Sequence, residues 1–221
     1  MSKEVRLTPS ILNVNFDDLE SEIKRVALVS DMVHLDIMDN VFVPNFTFDF
    51  PAAEEIIRSS ALPVDAHLMV ADVDGIAPAY AEAGCESVTF HVEACEDISA
   101  TIRSIKSLDC RAAIAIKPGT SLESYQEYLN QIDMLLIMTV EPGFGGQSFM
   151  QEMLPKIKLA KKLIGDRPIW LQVDGGISDS TIEMASAAGA DTFVAGSAVF
   201  NAKDPAAMVT SLRHLASNMA K

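Results

Sequence analysis

Apolar residues fall along this chain in two alternating patterns: short runs with a two-residue repeat, and longer stretches with a helical repeat. The short runs RLTPSI (6–11), MVHLDIM (32–38), PVDAHLM (63–69), SVTFHV (87–92), RAAIAI (111–116), MLLIMTV (134–140), IWLQVD (169–174) and TFVAG (192–196) predict strands. Between them FDDLESEIKRVAL (16–28), PAAEEIIRSS (51–60), VDGIAPAYAEAG (73–84), ISATIRSIKSL (98–108), LESYQEYLNQ (122–131), QEMLPKIKLAKKLI (151–164) and DSTIEMASAAG (179–189) predict helices. DPAAMVTSLRHLAS (204–217) predicts a last one. Eight strand–helix units in a chain of 221 residues predict the α/β class and a closed parallel (β/α)8 TIM barrel, with a doubly wound open sheet as the competing architecture. No linker, charge block or low-complexity segment divides the sequence, so a single barrel domain over 1–221 is expected.

In such a barrel each strand turns alternate side chains toward the helices and toward the axis, and active sites gather at the C-terminal strand ends. On the second strand Val33, Leu35 and Ile37 share one face while His34, Asp36 and Met38 share the other. The third strand repeats this, with Val64, Ala66 and Leu68 opposing Asp65, His67 and Met69. Thr89 and His91 share a face of the fourth strand, Gln172 and Asp174 a face of the seventh, and Ser10 closes the first. Polar side chains are therefore expected to converge at one end of the axis.

His34, Asp36, His67 and Asp174 make a candidate ligand set for one divalent metal ion, because neutral imidazole and carboxylate oxygen suit zinc, iron, manganese or cobalt. The competing reading makes them hydrogen-bonded interior groups; their matching heights on the strands favour the ion. Asp36 and Asp174 are also a natural acid–base pair for opposite sides of a bound substrate. Asp65 is the competing carboxylate, but it lies a pleat deeper than His67 and is expected to have a supporting role. His91 is expected to pack in the interior, and His214 to lie on the surface of the last helix. Met38, Met69 and Met138 share the axial face near the same rim, either as core filler or as an apolar cap that excludes water.

Glycines add a second chemistry. EPGFGGQSF (141–149), DGGIS (174–178) and AGSAVF (195–200) follow the last three strands on one rim. Glycine lets backbone N–H groups approach an anion closely, so a phosphate could be held there without Lys or Arg. That matters in a chain with a formal net charge of -14, a balance that argues against nucleic acid and anionic membrane as partners and for a small molecule. The start MSKEVRLTPS has no apolar leader and no run approaches a membrane span. The three cysteines, Cys85, Cys95 and Cys110, have no CxxC spacing and read as idle thiols in a reducing compartment. A cytoplasmic location is expected.

The pieces TPSIL, VHLDIMD, FVPN, DAHLM, TFHVEA, KPGT, MTVEPGFGGQSF, VDGGI and AGSAVF, in this order and spacing, resemble the ribulose-phosphate 3-epimerase family from about Leu7 to the final helix. The resemblance implies a barrel of the ribulose-phosphate-binding type with one divalent ion on His34, Asp36, His67 and Asp174, and no organic cofactor. It implies Asp36 and Asp174 as catalytic acid and base, and Ser10 and His67 as substrate contacts. Around the sugar and phosphate it places Gly143, Phe144, Gly145, Gly146, Asp174, Gly175, Gly176, Gly196 and Ser197. The implied reaction is epimerisation at C3 between D-ribulose 5-phosphate and D-xylulose 5-phosphate in the pentose phosphate pathway, by a homo-oligomer. Three alternatives stay open: an allulose 6-phosphate epimerase, a non-catalytic phosphosugar-binding barrel, and decarboxylation or aldol chemistry using Lys117. The chain departs from the family where Asn40 and Val41 stand in place of Gly and His, and Lys117 in place of Asn, which bears on loop closure and the strand-five contact.

Overall fold

The computed structural model describes residues 4–218. Its strands are β1 (Arg6–Thr8), β2 (Val33–Met38), β3 (Val64–Met69), β4 (Ser87–His91), β5 (Arg111–Ile116), β6 (Met134–Met138), β7 (Trp170–Asp174) and β8 (Thr192–Val194). They form one parallel eight-stranded sheet in the order β1-β8-β7-β6-β5-β4-β3-β2. The two ends of that order meet at a parallel bridge between Ser10 and His34, which curls the sheet into a barrel. There the His34 N–H donates to the Pro9 carbonyl at 2.9 Å, and the Ile11 N–H donates to the His34 carbonyl at 3.2 Å. The predicted strand over 6–11 is cut back to Arg6–Thr8 because Pro9 has no N–H with which to continue the ladder.

The helices are α1 (Leu19–Lys24), α2 (Phe50–Ser59), α3 (Val73–Ala83), α4 (Ile98–Lys106), α5 (Leu154–Ile164), α6 (Ile182–Ala188), α7 (Ser197–Phe200) and α8 (Pro205–Asn218). Local chemistry sets several of their ends. Asp49 accepts the Ala52 N–H at 3.0 Å and Asp97 the Ala100 N–H at 2.9 Å, capping α2 and α4, while Gly84 ends α3 in a left-handed conformation at φ 109°. Two predicted helices change form. The run 16–28 supplies a 3₁₀ turn and then only α1, since beyond Lys24 the chain tightens into turns bonded three residues back, such as Val26 N–H to Ile23 O at 3.1 Å. The run 122–131 is a 3₁₀ helix, Leu122–Asn130. Its apolar positions Leu122, Tyr125, Tyr128 and Leu129 suit an α-helical repeat as well as a three-residue one, and Leu122 and Leu129 are its buried residues. The short α7 lies within AGSAVF, which read as a loop.

The main apolar core lies between the sheet and the surrounding helices, where Val88 and Phe90 of β4 and Phe193 of β8 are fully buried. The axis is different. Thr8, His34, Asp65, His67, Ser87, Thr89, His91, Gln172 and Thr192 are all fully buried polar groups, so the interior of the barrel is hydrogen-bonded more than oily. Because the outer core carries the hydrophobic stabilisation, Phe90→Ala should lower stability by about 3–5 kcal/mol through the lost burial and the void it leaves. A shift of the urea unfolding midpoint checks this, and an unchanged midpoint would contradict the placement of the core.

Candidate active site and metal centre

The parallel register of β2 on β3 sets His34 beside Asp65, Asp36 beside His67 and Met38 beside Met69. Alternation turns all six toward the axis. On the opposite side β6 pairs with β7 so that Met138 lies beside Asp174. Thr139 holds that corner, its hydroxyl donating to the carbonyls of Asp174 at 2.8 Å and Gly175 at 2.7 Å. His34, Asp36, His67 and Asp174 thus meet, with one donor atom of each within 4.8 Å of the others. His34 Nε2 is 3.4 Å from Asp36 Oδ1, 3.3 Å from His67 Nδ1 and 4.0 Å from Asp174 Oδ2. His67 Nδ1 is 3.2 Å from Asp36 Oδ1 and 3.8 Å from Asp174 Oδ2.

The groups behind these donors fit a metal site. His34 turns its other nitrogen, Nδ1, to Asp65 Oδ2 at 2.8 Å, the carboxylate–imidazole pairing that orients metal-bound histidines. Asp65 is itself fixed by Ser87 Oγ at 2.7 Å and Gln172 Nε2 at 2.8 Å. The Ser10 hydroxyl donates to Asp36 Oδ2 at 2.7 Å. His67 Nε2 lies 3.0 Å from His91 Nε2.

Electrostatics separates the two aspartates. Burial opposes ionisation of Asp36, but the imidazoles of His34 and His67 outweigh it and hold its carboxyl far below the usual range. Burial and then the neighbouring Asp36 charge push Asp174 the other way, up to about 6. His34 would be kept neutral by burial alone; Asp36 and Asp65 override that and raise its pKa well above the ordinary histidine value. Asp174 keeps 17% of its side chain in solvent, against 5% for Asp36, so it is the carboxylate that faces the open cleft.

That cleft lies above the four donors. Ser10, Asp36 and Asp174 form part of its floor. Met38, Met69 and Met138 stand on its walls, joined by Leu12 and Val140. Its rim is built from Gly143, Phe144, Gly145 and Gly146, from Gly175 and Gly176, and from Gly196 and Ser197. His34 and His67 lie beneath it, fully buried. Asn13 and Gln147 also line the cleft and were missed, since nothing in their spacing marks them. Gln147 ties its own loop together, its amide donating to the carbonyls of Glu141 at 2.7 Å and Phe144 at 2.8 Å.

Two glycines have demands of their own. A Cβ on Gly176 would lie 2.2 Å from the Phe149 backbone nitrogen, and its φ is +66°, so this position is glycine for close chain approach whatever it binds. A Cβ on Gly145 would meet only the mobile end of the exposed Asn13 side chain, at 2.1 Å. Asn40 adopts φ 60°, the left-handed turn that Asn tolerates, and Asp39 secures it by accepting the N–H groups of Val41 at 2.8 Å and Phe42 at 2.9 Å. Lys117 places its ammonium 3.6 Å from the centre of the Phe42 ring, and no ion pair among the described residues joins it to either aspartate.

The model of the ribulose-phosphate 3 epimerase family matches residues 6–200. The chain belongs to the ribulose-phosphate 3 epimerase family. It is 46% identical over 212 residues to the ribulose-phosphate 3-epimerase of Mycobacterium tuberculosis, covering 95% of this chain and 92% of that one. To ribulose-phosphate 3-epimerase 1 of Cupriavidus necator it is 42% identical over 209 residues, with 91% and 87% covered. Among solved structures it is similar in fold to 3-keto-L-gulonate-6-phosphate decarboxylase of Vibrio cholerae, with a TM-score of 0.72, 18% identity and 98% and 99% of the chains covered. It is likewise similar to 3-hexulose-6-phosphate synthase of Salmonella typhimurium, with a TM-score of 0.71, 19% identity and 97% and 99% covered. As an epimerase-family member it is an isomerase on a TIM-barrel frame. No helix among the described residues is long and apolar enough to cross a membrane.

A cation held by this candidate set would compete with protons, because Asp174 and His34 must be bare to act as donors. His34, whose proton affinity is raised above the ordinary histidine value, competes first, and Asp174 holds its proton below about pH 6, so affinity for a divalent ion should fall as the pH drops across the neutral range and again through about 6. Zinc competition titrations between pH 5 and 8 check this. Affinity independent of pH would show that these groups are not the ligands.

Proposed function

We propose that the chain epimerises C3 of D-ribulose 5-phosphate, giving D-xylulose 5-phosphate, with His34, Asp36, His67 and Asp174 holding one divalent ion. The observation that carries the reading is the pairing of Asp36 and Asp174. Two carboxylates from strands on opposite sides of the barrel share one cluster, yet their surroundings push their proton affinities apart. Inversion at a carbon needs a proton acceptor on one face and a donor on the other, and groups so tuned suit those two tasks.

When bound, a divalent ion supplies positive charge that polarises the ketose carbonyl and offsets the negative charge of the enediolate. The protein does the rest. One aspartate removes the C3 proton and the other returns a proton to the opposite face; their roles exchange with the direction of reaction. Ser10, donating to Asp36 Oδ2, fixes one carboxylate while Asp36 Oδ1 faces the cluster. Met38, Met69 and Met138 keep water from the reacting carbon. The phosphate is held by backbone N–H groups of the glycine loops after β6, β7 and β8, the rim such barrels commonly use. Protons move but electrons stay with the substrate, so the reaction calls for no organic cofactor.

His34→Ala and His67→Ala should each lower metal content and activity together, measured by metal analysis and a coupled assay on ribulose 5-phosphate. Retained metal with near-normal turnover in both variants would overturn the ligand set. Asp174→Asn, studied on protein shown to keep its metal, should slow epimerisation by at least about 10²-fold. In D₂O it should still exchange the C3 proton of one pentulose phosphate and not the other, seen by NMR. Wild-type interconversion would refute the two-carboxylate reading.

A further inference from the structure

We propose that His91 and Glu93 form a positioning relay that fixes the tautomer in which His67 offers its Nδ1 to the ion. The inference rests on the metal reading above and extends it to residues outside the cluster. His91 was expected only to pack, and nothing in the sequence drew attention to Glu93.

The relay follows from counting protons along a line of contacts. His67 Nε2 and His91 Nε2 are 3.0 Å apart, and a hydrogen bond between two neutral imidazoles holds one proton, which either ring could supply. Glu93 breaks that tie. Its Oε2 lies 3.1 Å from His91 Nδ1, and a carboxylate only accepts, so His91 carries its hydrogen on Nδ1 and presents a lone pair at Nε2. His67 must then donate from Nε2, leaving Nδ1 bare. That bare nitrogen is the atom lying 3.2 Å from Asp36 Oδ1 and 3.3 Å from His34 Nε2, at the centre of the donor cluster.

Glu93 is anchored in turn, its Oε1 accepting the Lys117 N–H at 2.9 Å. His91 is fully buried, and the Phe42 ring lies against it with centroids 4.9 Å apart. The two candidate ligand imidazoles are thus held in opposite senses. Asp65 takes the Nδ1 hydrogen of His34 and exposes Nε2, whereas His91 takes the Nε2 hydrogen of His67 and exposes Nδ1.

Glu93→Gln tests this with little change of volume. A glutamine has one acceptor where the carboxylate had two, and the Lys117 N–H and the His91 Nδ1–H compete for it. When the amide NH₂ faces His91, the histidine must move its hydrogen to Nε2, against the hydrogen of His67. We expect Glu93→Gln and His91→Phe each to weaken zinc binding about 10- to 100-fold in chelator competition at fixed pH, as loss of such outer partners does. In ¹⁵N-histidine NMR of the zinc-loaded wild type, His67 should be protonated at Nε2 and His91 at Nδ1, a pattern lost in Glu93→Gln.

A role in packing alone would lower the urea midpoint and leave zinc affinity and the His67 tautomer as they were, which would overturn the relay. Should His91→Phe fail to fold, Glu93→Gln, at a partly solvated position with 17% of its side chain exposed, decides the matter. A wild-type protein that binds no zinc would overturn the metal reading and the relay together. Zinc bound by the wild type and by Glu93→Gln with equal affinity would overturn the relay alone.

Discussion

Everything at the head of this barrel depends on the register of β2 against β3. Three successive axial pairs, His34 with Asp65, Asp36 with His67 and Met38 with Met69, are stacked by that one alignment. Each pair has a different task by height: a buried carboxylate that orients an imidazole, a carboxylate and an imidazole that face the cluster, and two thioethers that close over it. A slip of β2 by one residue would turn His34, Asp36 and Met38 toward the helices and put Val33, Leu35 and Ile37 in their place. The apolar partners on the other face guard against that slip, since Val33, Leu35, Ile37, Val64, Ala66 and Leu68 are all buried in the outer core.

The same alignment explains how an interior with so many charges is tolerable. Asp65 is completely buried, and an isolated carboxylate there would be costly. It accepts from His34, Ser87 and Gln172 instead, and these contacts, with the His34 charge, keep it ionised despite burial. Removing one member of such a network leaves the others unpaired, which makes the axial layer a source of specificity more than of net stability. Hydrophobic stabilisation comes from the other side of the sheet. The two kinds of packing are separated by the thickness of one strand layer, so the site's polarity does not weaken the core that supports it.

Much of this was legible in the chain. Two-residue alternation in MVHLDIM and PVDAHLM marked which side chains share a face, and the eight-fold recurrence of strand and helix marked the barrel, because both periods follow from backbone geometry. The glycines were legible as a rim. Their individual reasons were not: Gly176 is required by the backbone of Phe149, a contact between chain segments that only the fold creates. The 3₁₀ form of Leu122–Asn130 was not legible, because its apolar positions, with Leu122 and Leu129 buried, fit an α-helical repeat equally well over nine residues. His91 and Glu93 escaped notice for another reason. Their significance lies in which atom of one ring faces which atom of another, and strand alternation predicts faces, not nitrogen atoms.

The distribution of axial residues around the barrel completes the division of labour. β2, β3 and β4 turn histidines, carboxylates and hydroxyls inward, while β5 and β6 turn in Ala113, Ala115, Leu136 and Met138. Ala113 and Ala115 pair in register with Thr89 and His91, so small side chains stand where the imidazole of His91 occupies the axis. An apolar wall on one side and a cluster of donors on the other make a cleft with one wet and one dry flank. Asp174 reaches the donors from β7, beside Met138, and burial raises its proton affinity just as it opposes ionisation of Asp36. The two differ because Asp36 lies 3.2 Å from His67 Nδ1 and 3.4 Å from His34 Nε2, close enough for these imidazoles to hold it ionised, whereas Asp174 stands 3.8 and 4.0 Å from the same atoms and is repelled by the Asp36 charge.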